Sequence, residues 1–275
     1  MPIDLALSTC PNDTFLIHGL ASGAVDPQGL DIRLHFGDVQ ELNEGLRAGR
    51  FDVSKASYAL AFSLGPKLRV LKVGSALGFG VGPVLLARQD WLPEESQPRL
   101  LGPGADTTAA LLLRALHPEW KNVDQVIFSE IMPALCAGRA DLGVCIHEGR
   151  FTYADQGLSL VEDLGATFES LTQSPLALGG LFARADLPEA THLKLESVLG
   201  ASLRYGMEHP AECVPTMARY AQEMSPEVMQ QHVDLYVNEW TLELGSVGAR
   251  AIRALWDLAQ TAGALPTGAQ PPLIP

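Results

Sequence analysis

The feature that most restricts this chain is a set of short matches that recur, in the same order, at nearly the same spacing. Ala48-Gly49-Arg50-Phe51-Asp52 returns as Ala137-Gly138-Arg139-Ala140-Asp141, 89 positions later. Asp13-Thr14 returns as Asp106-Thr107 after 93 positions, and Leu86-Ala87-Arg88-Gln89-Asp90 as Phe182-Ala183-Arg184-Ala185-Asp186 after 96. Each Ala-Gly-Arg-x-Asp reads as a helix stop, with glycine in the left-handed position, followed by a strand start. Around the matches, short apolar runs alternate with helical periods. Residues 3–8, 31–36 and 51–54 read as strands, and 15–21 and 41–48 as helices. After a short strand at 84–87 the alternation restarts, with strands at 99–102, 123–128 and 142–146 and helices at 107–116 and 131–137. Strands alternating with helices predict βαβ units and mainly parallel sheets. The repeat predicts two similar α/β lobes.

The remainder reads as helical. Apolar residues fall at helical spacing over 193–208, 211–224, 227–238 and 248–262. Ser225-Pro226 is a helix start and Gly263 a stop. The proline-rich end from Pro266 is expected to lie extended on the surface, and 175–183 to be an extended stretch broken by glycine. Strand-like crossovers are expected near 88–99 and 183–187. They make the first lobe discontinuous, residues 1–88 plus 187–275, with 89–186 as the second.

Composition narrows the partners. Of 275 residues, 47% are apolar and 19% charged, which excludes a wholly disordered chain. The net charge of −13 argues against nucleic acid and against anionic lipid, since both need a basic surface. An anionic ligand would have to be held by local donors. The start, Met1-Pro2-Ile3-Asp4, has no basic region, and the uncharged stretch 73–87 is too short and glycine-rich to span a bilayer. Cys10, Cys136, Cys145 and Cys213 show no CxxC spacing. A cytoplasmic protein with reduced, buried thiols is expected. The histidines show no HxxxH or HExxH spacing, so neither a metal nor a cofactor is expected. The turn Gly102-Pro103-Gly104-Ala105-Asp106-Thr107-Thr108 lacks a phosphate-binding lysine, and Gly-x-Ser-x-Gly is absent.

In open parallel sheets, ligands bind beyond the carboxyl ends of the strands. Two facing lobes would make a cleft lined by residues 8–14, 55–58, 102–108 and 146–148. Two of these loops open helices, where unpaired N–H groups favour a carboxylate. Asn12, Asp13, Thr14, Thr107 and Thr108 either cap those helices or present donors, with capping favoured for Asp13 and Asp106. Lys55 pairs either with an anionic ligand or with Glu41, Asp52 or another neighbour. His147 stands at a strand end facing Tyr58 across the cleft, as a general base or as a hydrogen-bonded structural residue. Cys145, two residues before it, is a weaker nucleophile candidate.

Ser8-Thr9-Cys10-Pro11-Asn12-Asp13-Thr14-Phe15, Lys55-Ala56-Ser57-Tyr58, Gly78-Phe79-Gly80-Val81-Gly82-Pro83, Asp106-Thr107-Thr108-Ala109 and Ile146-His147-Glu148-Gly149-Arg150-Phe151-Thr152-Tyr153 together resemble the 1,4-dihydroxy-6-naphthoate synthases of the futalosine route to menaquinone. The likeness runs from residue 3 to about residue 260. It implies a two-lobed α/β fold of the periplasmic-binding-protein type II kind, with a cleft between the lobes and C-terminal helices. It also implies a lyase that splits cyclic dehypoxanthine futalosine, an aromatic carboxylate, into 1,4-dihydroxy-6-naphthoate and dihydroxyacetone. In that reading His147 is the proton acceptor, while Lys55, Ala56, Ser57, Thr107, Thr108 and Ala109 bind substrate. The alternatives are chorismate dehydratase, of like architecture, and a solute-binding protein for a small carboxylate that catalyses nothing.

Overall fold

A computed structural model of the chain describes residues 2–91, 98–146, 149–221 and 225–275. The first part runs β1 (Ile3–Ser8), α1 (Pro11–Ala21), β2 (Ile32–Gly37), α2 (Val39–Arg47), β3 (Val53–Ser57), α3 (Tyr58–Leu64), β4 (Leu68–Val70) and β5 (Ala76–Gly78). The middle runs β6 (Val84–Ala87), β7 (Leu100–Gly102), α4 (Thr108–Leu116), β8 (Val123–Gln125), α5 (Phe128–Cys136), β9 (Leu142–Cys145), α6 (Gly149–Thr152), β10 (Ser159–Asp163) and α7 (Leu164–Thr172). The chain then makes β11 (Leu176–Arg184) and the helices α8 (Glu189–Glu208), α9 (Pro210–Tyr220), α10 (Pro226–Tyr236), α11 (Glu239–Leu242) and α12 (Gly245–Thr261). Ser225 caps α10 by accepting from the Val228 amide, ahead of a proline at its first position.

Two sheets result. One has the order β2-β1-β3-β11-β4, with β5 also on β11; the other has the order β10-β6-β9-β7-β8. β1 pairs in parallel with β2 and β3, and β7 with β8 and β9. β6 and β11 run antiparallel to their neighbours.

The repeated Asp is a junction in both halves. Gly49 and Gly138 close the preceding helices at φ +67° and +65°. The Asp52 carboxylate then accepts from the Asp4 amide at 3.0 Å and from Arg184 Nη1 at 3.2 Å, while its carbonyl accepts from the Arg184 amide. The Asp141 carboxylate likewise accepts from the Arg99 amide at 2.8 Å and from Arg88 Nε at 3.0 Å, and its carbonyl accepts from the Arg88 amide. Arg88 and Arg184 each also pair with the aspartate two positions on, Asp90 and Asp186. Two of the three sequence matches are thus one device used twice.

The arginine strand changes sides, which corrects the expected crossovers. β6 follows the first sheet's strands in sequence yet belongs to the second sheet, and β11 follows the second sheet's strands yet belongs to the first. The chain therefore passes between sheets at 79–83 and 173–175, ahead of each crossover strand rather than after it. The stretch at 175–183 is a regular strand with one irregularity between Ala177 and Gly179. The tail after Pro266 is also held, since Leu273 exchanges backbone hydrogen bonds with Leu68 and Val70.

α4 is buried from Thr108 to Leu113 and carries its one charge, Arg114, in the last turn. Leu111 and Leu112 enter the cluster of Tyr58, Phe62 and Leu255, while Ala109 and Leu113 enter that of Leu85, Leu142 and Val144. Of the cysteines, Cys145 and Cys213 are buried, Cys10 is half-buried and Cys136 exposed, so burial extends to two of the four. Among the described residues, no helix is long and apolar enough to cross a membrane.

Hydrogen bonds from Arg99, reinforced by Arg88, hold the Asp141 carboxyl at about 2, below its ordinary value. A group depressed in the folded state stabilises the fold above its unfolded pKa and loses that contribution as pH falls through the folded one. Asp141→Asn should therefore cost about 2 kcal/mol at pH 6, the equivalent of the shift. The gap between variant and unmodified chain, read by urea unfolding, should narrow from pH 5 to pH 2. A gap independent of pH would contradict this account.

Candidate functional site

Strand ends and helix starts coincide between the two sheets. β1 stops at Ser8 and α1 starts at Pro11; β3 runs directly into α3; β7 leads through residues 103–107 into α4. Three helix N-termini thus border one cleft, of about 730 Å³ with its open mouth included. Ser8, Asn12, Lys55, Ser57, Thr107 and Thr108 supply its polar lining. Ala76, Val81, Pro83, Ile146 and Leu178 supply apolar walls. All six predicted binding residues, Lys55, Ala56, Ser57, Thr107, Thr108 and Ala109, line this cleft.

Lys55 is paired within the protein. Its Nζ donates to Asp13 Oδ1 at 2.7 Å and to the Gly74 carbonyl at 3.0 Å, and the two side chains are 9% and 1% exposed. The partner is Asp13, not Glu41 or Asp52. Asp13 also accepts from Ser8 Oγ at 2.6 Å, from the Ser8 amide at 3.3 Å and from Asn12 Nδ2 at 2.9 Å. A carboxylate so saturated caps no helix; α1 has Cys10 at its cap position, where the side chain makes no capping bond. Asp106 departs from the capping expectation too, pairing at 2.5 Å with Arg47 of α2.

The two threonines separate in role. Thr107 caps α4, accepting from the Ala110 amide at 3.1 Å and donating to the Gly104 carbonyl at 2.8 Å. Thr108 donates its hydroxyl to the Leu178 carbonyl at 2.6 Å, joining α4 to β11. Their side chains face protein, so what α4 offers a ligand is its backbone. The amides of Thr108 and Ala109 stand in the first turn, where no carbonyl of the helix can reach them. Ser57 stands at the start of α3, where its hydroxyl makes no capping bond and its amide donates to Asn43 Oδ1 at 3.2 Å.

Tyr58 does not face the cleft. It is fully buried, its hydroxyl shares a 2.9 Å hydrogen bond with Ser75, and burial pushes its phenol above the ordinary range. The backbone turns from strand to helix at Ser57, which carries the next side chain into the core. His147 and Glu148 lie outside the described residues; Ile146, immediately before them, lines the cleft. Sequence reasoning missed His232 and Tyr236 of α10, which also line it. Their spacing of four residues places them on one helix face, a signal indistinguishable from that of core positions.

The family model for menaquinone biosynthesis matches residues 3–261. The chain belongs to the menaquinone biosynthesis family. It is 39% identical over 260 residues to the 1,4-dihydroxy-6-naphthoate synthase of Thermus thermophilus, covering 94% of each chain. The crystal structure of protein AF1704 from Archaeoglobus fulgidus superposes with a TM-score of 0.90 at 28% identity, covering 96% of this chain and 98% of that one. The alkanesulfonate-binding protein SsuA of Xanthomonas axonopodis pv. citri, bound to MOPS, superposes at 0.71 with 13% identity, covering 100% and 98%. This family member therefore has a periplasmic-binding-protein-like fold, as its sequence implied.

Removing one partner of a buried ion pair leaves an uncompensated charge, at a cost of about 3–5 kcal/mol. Asp13→Ala should lose stability on that scale in urea unfolding. Asp13→Ala combined with Lys55→Met should lose clearly less than the two single losses added together. Simple additivity would show that the 2.7 Å contact carries no coupling.

Proposed function

We propose that this chain is a carbon–carbon lyase that splits cyclic dehypoxanthine futalosine into 1,4-dihydroxy-6-naphthoate and dihydroxyacetone in the cytoplasm. Membership of the menaquinone biosynthesis family and the name of the Thermus thermophilus relative support the reaction. The observation that carries it is the chemistry of the cleft. Its lysine already has a carboxylate partner, so an anionic substrate is met chiefly by the α4 amides and helix dipole. An aromatic carboxylate fits that division, with its carboxylate at the helix start and its rings between Val81 and Leu178.

Each residue then has a part. The Thr108 and Ala109 amides bind the carboxylate, and the Thr107 cap holds that turn in shape. Ser57 and the remaining N–H of Lys55 donate to substrate oxygens. His147 takes a proton from a substrate hydroxyl or carbon acid, as a retro-aldol-like cleavage requires. Its sequence position beside Ile146 supports that role. The aromatic product supplies driving force through resonance. The protein therefore mainly positions the substrate, moves a proton and excludes water. Closure of the lobes over the cleft serves the last of these.

Two measurements test the proposal. The purified chain, incubated separately with cyclic dehypoxanthine futalosine and with chorismate, should yield product mass from the first alone. His147→Ala should unfold in urea like the unmodified chain yet lose about a hundredfold to ten-thousandfold in turnover, the range of general-base catalysis. Near-normal turnover would remove His147 from the mechanism.

A further inference from the structure

We infer that His232 is a substrate-binding residue whose imidazole hydrogen-bonds a hydroxyl of the non-aromatic part of the substrate, an inference that rests on the proposed reaction. The strand-end loops of the two sheets do not supply this residue. It comes from α10, one of the C-terminal helices, and it lines the cleft while only 1% exposed. The Ser225 cap and Pro226 set where α10 begins, and so which residues face inward. Met229 and Val233 enter the core around Phe15, while His232 and Tyr236 face the cleft.

The ring is held in place. The His232 and Tyr236 ring centroids are 4.5 Å apart, and Tyr236 donates its hydroxyl to the carbonyl of Val81, itself a cleft residue, at 3.4 Å. One residue beyond the helix cap, Asn238 Nδ2 donates to the Leu77 carbonyl at 2.8 Å. α10 also packs on α1 and β5, the elements that carry Asn12, Asp13 and Ala76. The imidazole therefore belongs to a third wall, packed on the elements that carry the rest of the cleft.

The substrate's chemistry decides what that wall takes. Its carboxylate has the α4 amides and its rings have the apolar walls. What remains are hydroxyl groups, which both donate and accept. A neutral imidazole also does both, one ring nitrogen donating and the other accepting.

The test compares His232→Phe, which keeps a ring against Tyr236, with His232→Gln, which restores a donor and an acceptor. With cyclic dehypoxanthine futalosine, His232→Phe should raise KM about tenfold, the factor that one lost hydrogen bond of ordinary strength gives. His232→Gln should recover at least part of it. Binding of 2-naphthoate, which has the rings and carboxylate but no hydroxyl, should change less than about twofold by calorimetry in either variant. An unchanged KM in His232→Phe, or an equal loss of 2-naphthoate binding, would overturn the inference while leaving the reaction standing. No turnover by the unmodified chain would overturn the reaction, and the inference with it.

Discussion

Asp52 and Arg184 are 132 positions apart, and Asp141 and Arg88 are 53 apart, yet each pair closes a sheet. The constraint they express is that the first sheet is not built from contiguous chain, since β11 joins it only after the whole second sheet, residues 84–163, has been traversed. The β11 strand lies against β3, and β6 against β9, each contributed by the segment that has just left the other sheet. The two connections between the sheets, 79–83 and 173–175, fix where the strand ends of both sheets meet. The Gly82–Gly165 approach shows how closely this region is packed, since a Cβ on Gly82 would lie 2.2 Å from the Gly165 Cα. No other residue fits there without moving backbone.

That meeting point determines the electrostatics of the cleft. In a chain of net charge −13, a free ammonium would be the obvious attraction for a carboxylate. Here the ammonium is committed to Asp13, and the amides at the helix starts are further donors that border the cleft. Backbone amides have a fixed direction and do not titrate. Thr108 adds to this by tying the α4 start to β11, so that the amide-bearing turn is positioned by both lobes.

Local signals in the sequence were enough to read the alternation of strands and helices, the glycine stops at Gly49 and Gly138, and the start at Ser225-Pro226. Each is decided within a few residues. The sheet to which 84–87 or 176–184 belongs is decided by distant partners, and periodicity carries no record of it. Lys55 shows the same limit. Glu41, Asp52 and other acidic neighbours are equal candidates by composition, and the fold alone selects Asp13. The strand-end stretch 55–58 puts Tyr58 at the cleft by sequence, but the direct passage from strand to helix turns its side chain inward. His232 was hidden differently, since a histidine among apolar residues on a helix looks the same whether the facing surface is a core or a cleft.

The exchanged strands also set an order of assembly during synthesis. The strands of the second sheet lie together between residues 84 and 163, whereas β3 gains its β11 neighbour only after residue 176 has been made. At about 5–20 residues per second, that leaves one edge of β3 uncovered for roughly 6 to 24 s. Through that interval Lys55 lies on a strand with one edge still open, and a lysine on such an edge is the type of residue that discourages pairing with a second nascent chain.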